Sequence, residues 1–276
     1  MFTRRKVLTA VSDVLKVITM LIFVFPFYWM IITAFKTSTE AQALPPTLWP
    51  QVWSMEAYER IGQVGISIWS FAWNSIYVTV CTIVLQLVLM VPAAYGFAKR
   101  EFPLRGLLFG IVLVAFMLPG QITYIPVYLM MSKWGMINTY WPQIIPHGAN
   151  AFGIFMLRQA FKQIPDEIIE SARMDNAGEW KIMTRIMLPM CTPTMVTIAM
   201  FSFIGTWNSY FWPLVMTFDD KYRPLTIMIE RLKDMDSGID YNLIMAGNCV
   251  LVVPVLIVFF FASKKIIQSY AYRGMK

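Results

Sequence analysis

Apolar runs of twenty or more residues recur along the chain, separated by shorter polar stretches. About twenty apolar residues carry a helix across about 30 Å of hydrocarbon, and six stretches qualify as spans: 14–35, 73–98, 106–131, 140–161, 194–217 and 242–263. The first holds Lys16 near enough to its end to snorkel. The third contains Pro119 and Pro126, which membrane helices tolerate as kinks when neighbouring groups re-satisfy the released carbonyls. The fourth is interrupted by Gln143, His147, Asn150 and two prolines. The expected fold is all-α: a polytopic membrane protein with six transmembrane helices, forming a single transmembrane domain over 1–276. The first span is too long for the apolar core of a secretory signal and no small-residue cleavage site follows it, so it reads as a retained anchor.

Composition agrees with this pattern. The chain is 58% hydrophobic and 14% charged, where soluble domains carry about a quarter charged residues. Placing both termini on the inner side gathers Arg4, Arg5, Lys6, Lys99, Arg100, Arg105, Arg158, Lys162, Arg173, Lys181, Arg185, Lys264, Lys265, Arg273 and Lys276 there. The excess predicts cytoplasmic termini. The net charge of +7 is dispersed over several short loops, which argues against a nucleic-acid partner. Cys81, Cys191 and Cys249 show no paired spacing and read as packing residues, and one histidine, His147, makes neither a metal site nor a catalytic dyad.

Catalytic motifs are missing from the sequence. There is no GxxxxGK[ST] phosphate loop, no HExxH, no CxxC, and no Ser, His and acid set that the topology would unite. The chain therefore reads as a non-enzyme whose driving energy comes from elsewhere. The spans also lack internal Asp or Glu, which argues against coupling to an ion gradient. Their polar residues are uncharged: Gln86, Gln121, Thr123, Tyr124, Asn150, Asn208, Ser209, Tyr210 and Asn248, with Trp207 alongside. Amides and aromatic faces suit a neutral, hydroxyl-rich solute, although hydrogen bonding between helices accounts equally well for any single one. Gln121, Tyr124, Asn150, Trp207, Asn208, Tyr210 and Asn248 are the candidate solute pathway. Two outer segments, 36–72 with Trp49, Trp53 and Tyr58, and 218–241 with Asp219, Asp220, Asp234 and Asp236, either dock a partner or cap the bundle.

The segment 165–193, DEIIESARMDNAGEWKIMTRIMLPMCTP after Pro165, is the polar exception. Pro165 suits the start of a helix, and Asp166, Glu167 and Glu170 place negative charge near its positive end. Asp175, Asn176, Ala177 and Gly178 then break the helix, since Asn and Gly enter left-handed backbone most readily. A second short helix from about Glu179 would align Trp180, Met183 or Thr184, and Met187 on one stripe, with Lys181 and Arg185 on another, before Pro189 and Pro193. The expectation is helix, sharp turn, helix.

The run Glu170-Ser171-Ala172-Arg173-Met174-Asp175-Asn176-Ala177, followed by Trp180, Ile186, Leu188-Pro189 and Pro193, resembles the cytoplasmic EAA loop of binding-protein-dependent ABC importer permeases. Ser171 replaces the usual Ala and Asn176 the usual Gly. The whole chain, down to the tail Tyr272-Arg273-Gly274-Met275-Lys276, is similar to the carbohydrate-uptake branch, the smaller permease subunit of maltose and glycerol-phosphate importers. The resemblance implies a multi-pass subunit of the cytoplasmic (inner) membrane of a prokaryote, sitting in the lipid bilayer, that binds no cofactor or metal. It implies a coupling helix carrying Glu170, Ser171, Ala172, Asp175, Asn176, Ala177, Gly178, Leu188 and Pro189, with Ala172, Ala177 and the Met stripe packed into a groove of a separate cytoplasmic ATPase dimer that holds ATP and Mg. A homologous second permease and an extracytoplasmic solute-binding protein complete the expected assembly. A sugar or oligosaccharide is the expected solute. A phosphorylated polyol such as glycerol phosphate, with charge from Arg158 or the partner permease, is the alternative, and a self-contained carrier or membrane enzyme is the rival from another class.

Overall fold

The computed structural model describes residues 2–63, 68–233 and 240–273, with side chains over 9–62, 68–233 and 240–264. Asp234, Asp236 and the tail residues Gly274, Met275 and Lys276 lie outside the described residues, as do the side chains of Arg4, Arg5, Lys6, Lys265, Tyr272 and Arg273. In chain order the helices are α1 (Phe2–Ala34), α2 (Ser38–Ala41), α3 (Glu56–Gln63), α4 (Ile68–Lys99), α5 (Arg105–Met117), α6 (Tyr124–Lys133), α7 (Trp141–Ile144) and α8 (Ala151–Lys162). They continue with α9 (Asp166–Met174), α10 (Glu179–Lys181), α11 (Leu188–Met190), α12 (Thr192–Trp207), α13 (Phe211–Met216), α14 (Leu225–Arg231) and α15 (Tyr241–Arg273). No strand occurs among the described residues.

Three helices cross a membrane by length and composition, Thr9–Ala34, Ile68–Lys99 and Tyr241–Lys264. Two further pairs reach that standard only together. Arg105–Met117 and Gly120–Lys133 meet at 97°, and Glu179–Met190 and Thr192–Trp207 meet at 82°. The protein is thus all-α and polytopic, with three unbroken apolar helices and two bent ones. The stretch 106–131, where proline kinks are expected, is broken at Leu118 and Pro119, because Pro119 supplies no N–H and pushes Leu118 into extended backbone, ψ 128°. The stretch 140–161 is also divided: α7 passes into a 3₁₀ turn at Ile145–His147, and α8 starts afresh after Asn150, whose side chain accepts from the Gly153 N–H as an N-cap. The stretch 194–217 parts at Asn208–Tyr210 into α12 and α13. Pro26, Pro92 and Pro254, by contrast, sit inside unbroken helices.

Contacts divide the chain into two compact units. In the first, residues 1–68 and 228–254, α1 exposes apolar side chains from Val11 to Phe27, as a helix solvated by lipid does. Its polar centre is Asp240, which accepts from Ser38 Oγ at 2.5 Å and from Arg60 Nη1 at 2.5 Å. Burial alone would raise the Asp240 carboxyl pKa; the Ser38 hydroxyl and the Arg60 guanidinium outweigh it and hold the pKa below its ordinary value. Asn242 Nδ2 donates to Lys36 O at 3.1 Å, and the buried Lys36 ammonium finds Thr47 O and the Trp29 ring.

The second unit, residues 69–227 and 255–276, holds the larger core. Met90, Val91, Ala94 and Tyr95 of α4 pack with Leu157 and Phe161 of α8, Ile169 and Ala172 of α9, Met183, Met187 and Cys191 from the segment after the turn, and Ile198 of α12. Gly153 permits this closeness, since a Cβ there would fall 2.3 Å from Met90 Sδ and 3.2 Å from Ile198 Cγ2.

Candidate functional site

Two features of the second unit stand out. The first is the hairpin made by α9 and the segment that follows it. The helix α9 ends at Met174, and Asn176 takes left-handed backbone, φ 57°. The Asn176 N–H then reaches Arg173 O at 2.9 Å and the Ala177 N–H reaches Ala172 O at 2.9 Å. This pair of bonds is a Schellman closure, normally given to glycine. Asn176 therefore keeps the geometry that a glycine would supply there. After the turn, α10 continues through a π-helical stretch, Ile182–Met187, into α11. Pro189, which cannot donate back one turn, is absorbed by that widening, and the Leu188 N–H bonds Met183 O instead.

The hairpin has two unlike faces. Ile169, Ala172, Ile182, Met183 and Met187 are buried in the core, while Glu170, Ser171, Asp175, Asn176, Gly178 and Pro189 are exposed and Ala177 and Leu188 are half-buried. In this chain Ala172, Met183 and Met187 pack in the core, and Trp180 does not share the stripe of Met183 and Met187: it is 70% exposed, and Met174 is 85% exposed. Glu179 ties the hairpin down: the Tyr95 phenol of α4 donates to its carboxylate, and Arg100 and Arg173 reach it at 3.0 and 3.1 Å. The same carboxylate, through its hydrogen bond, raises the Arg173 guanidinium pKa further above its ordinary value. Lys99 adds a second tie, donating to Ile164 O at 2.6 Å and to Asp166 at 2.7 Å.

The second feature is a cavity of about 470 Å³. Gln86, at mid-length of α4, is its organising residue: Oε1 accepts from Ser202 Oγ at 2.5 Å and from Asn150 Nδ2 at 3.2 Å, while Nε2 donates to His147 O at 2.8 Å. Gln143 lines the same space and leaves its buried Oε1 without a partner among the described residues. Phe116, Phe152, Phe201 and Trp212 supply aromatic surface, and the lining contains no Lys, Arg, Asp or Glu. Amide and hydroxyl groups framed by aromatic faces can bind a neutral polyhydroxylated molecule; they offer nothing to neutralise a phosphate.

Of the candidate pathway residues, only Asn150 lines this cavity. Tyr124 packs on Phe211 and Trp212, with centroids 5.5 and 5.2 Å apart, and Trp207 is buried against Phe203. Gln121 is exposed in the turn after Pro119, Asn208 and Tyr210 are exposed at the α12–α13 break, and Asn248 belongs to the first unit. Gln86 and Ser209 stand among the polar residues of the spans and Gln143 among the interruptions of the fourth; Ser202 and Thr206 are in neither group. The available signal was the stripe Ser75, Thr79, Thr82, Gln86 on α4, spaced three or four apart and buried throughout.

A multi-pass helical bundle carrying a neutral polar cavity and an anchored helical hairpin defines a membrane transport component. The chain belongs to the family described as the binding-protein-dependent transport system inner membrane component, whose model matches residues 90–272. It is 30% identical over 267 residues to the sn-glycerol-3-phosphate transport system permease protein UgpE of Brucella abortus (strain 2308), covering 94% of each chain. It is likewise 30% identical over 263 residues to the diacetylchitobiose uptake system permease protein NgcG of Streptomyces coelicolor, covering 94% of this chain and 86% of that one. Its fold matches a chain in the crystal structure of a bacterial ABC transporter involved in the import of the acidic polysaccharide alginate, with a TM-score of 0.84 at 24% identity over 94% of this chain and 96% of that one. Family membership makes the chain an ABC-importer permease, a translocation subunit and not an enzyme. Among the described residues no group of three or more His, Cys, Asp or Glu could hold a metal ion.

Proposed function

We propose that this chain forms half of the translocation pore for a sugar or oligosaccharide, in the inner membrane of a prokaryote, with six membrane crossings and both termini in the cytoplasm. The solute reading rests on the cavity, whose lining is neutral, hydrogen-bonding and aromatic. The rival reading, a phosphorylated polyol, is favoured by the likeness to a glycerol-phosphate permease, and requires cationic groups that this cavity lacks and a second permease would have to bring.

The hairpin 165–193 is the proposed coupling segment. Its exposed face, Glu170, Ser171, Asp175, Asn176 and Gly178 with Met174 and Trp180, docks on a separate ATPase dimer that binds ATP and Mg, the two carboxylates meeting basic groups there. The buried face of the same hairpin is packed on α4, α8 and α12. That division carries the reading: a rigid-body displacement of the exposed face moves the helices that wall the cavity. Solute is delivered by an extracytoplasmic binding protein, and a homologous permease supplies the other half of the pore.

The test is Glu170→Lys, or deletion of 175–178, in the assembled importer. Loss of ATPase association together with solute uptake is expected; normal uptake by a normally assembled complex would defeat the coupling role. Uptake of glycerol phosphate without uptake of any neutral oligosaccharide would defeat the solute assignment and leave the coupling role standing.

A further inference from the structure

Three cations at the α4 end of the second unit have an acid. Lys99 meets Asp166, and Arg100 and Arg173 share Glu179. Arg105 and Arg158 do not. Arg158 Nε donates to Phe97 O at 3.1 Å and its guanidinium lies 3.9 Å from the Phe109 ring centroid. Arg105, the first residue of α5, donates through Nη1 to Arg100 O at 2.8 Å. Both are thus held by backbone carbonyls, neither meets a carboxylate among the described residues, and the Phe109 ring under Arg158 stands four residues after Arg105 on the same face of α5, which brings the two like charges together. Two positioned, mutually repelling guanidinium groups gain most from an anion that accepts from both forks at once, which is the geometry of a phosphate.

What surrounds the pair selects the phosphate's carrier. Arg105 opens a helix of membrane-grade apolarity, so the pair stands where headgroups stand. Leading away from it, Leu104, Leu107, Leu108 and Ile111 are exposed. A soluble phosphate would leave that apolar strip uncovered, whereas a phospholipid covers it with an acyl chain while its phosphodiester meets the arginines. We propose that Arg105 and Arg158 clamp the phosphate of an anionic phospholipid whose acyl chain runs along the exposed side of α5. The solute cavity, with its neutral lining, is a separate site.

The complete importer in phosphatidylethanolamine nanodiscs, with and without phosphatidylglycerol, tests this through a photoreactive phosphatidylglycerol and mapping of the labelled peptides. Label is expected in 97–111, falling about fivefold for each arginine removed in Arg105→Gln and Arg158→Gln. Labelling of the double variant equal to that of the parent would overturn the proposal. So would labelling that unlabelled phosphatidylglycerol in the discs does not reduce, competition by inorganic phosphate, which marks a soluble-anion site, or no labelling of the assembled complex, which marks a face covered by another subunit. If Arg158→Gln does not assemble, Arg105→Gln still decides, because that side chain is half-exposed and its hydrogen bond is to a backbone carbonyl.

Discussion

The Tyr95 phenol of α4 donates a hydrogen bond to the carboxylate of Glu179, the first residue after the hairpin turn. One side chain from a long membrane helix thereby grips the segment whose far side is open to a partner. Arg100 and Arg173 bind the same carboxylate, but they are exposed pairs of small individual worth.

Removing the phenol hydroxyl isolates this grip. Tyr95→Phe keeps the ring against Phe161 and deletes a bond to a charged group, worth about 1.5–3 kcal/mol. The expected result is sustained ATP hydrolysis with solute moved per ATP reduced by roughly tenfold or more. An unchanged transport ratio in proteoliposomes would remove Tyr95 from the transmission path.

At the turn, Asn176 at φ 57° separates two substitutions by sign. Asn176→Gly is expected to leave assembly and uptake intact. Asn176→Val, β-branched and forced into left-handed backbone, should cost about 1–2 kcal/mol and detach the exposed face of the hairpin. Pull-down of the ATPase by each variant is the measurement.

The cavity predicts a transport defect without a coupling defect. Gln86→Leu removes the acceptor of Ser202 and Asn150 and the donor to His147 O. Asn150 Nδ2 and Ser202 Oγ keep each other at 3.4 Å, so the His147 carbonyl is the group left stranded, at about 1–3 kcal/mol. Uptake should fall at least tenfold while ATPase association in the purified complex is retained, and loss of both together would make Gln86 a folding residue only.

Asp240 contributes to the acid stability of the first unit. Its carboxyl pKa is below the ordinary value of 3.8, so its contribution is complete above that value and is lost as pH falls through the lower, folded one. Asp240→Asn should lower thermal stability at neutral pH, by about 1.5–3 kcal/mol for the charge-assisted bonds lost, and flatten the acid limb of the stability profile. Melting curves of the purified complex at stepped pH read both effects.

Much of this is legible in the sequence. Hydropathy located the three unbroken helices, and the residues Asp175 to Gly178 announced the turn that Asn176 makes. Hydropathy did not show the 97° break after Met117, the division of 140–161, or the parting of α12 from α13. Proline marks a permissible bend, but Pro92 and Pro254 lie within continuous helices while Pro119 ends one. Whether a bend opens depends on what satisfies the released carbonyl, and that partner is supplied from outside the local sequence.

The cavity and the two faces of the hairpin follow the same division. Spacing on a helix states which residues share a face, as Ile169 shares one with Ala172 and Ser75 with Thr79, because that periodicity belongs to the helix alone. It is silent about what the face meets. Ala172, Met183 and Met187 met the chain's own core, Trp180 met open space, and Tyr124 and Trp207 met other aromatic rings and not the cavity. Burial against lipid, a neighbouring helix or another subunit asks for the same apolar composition, so only the three-dimensional arrangement of the helices chooses among them.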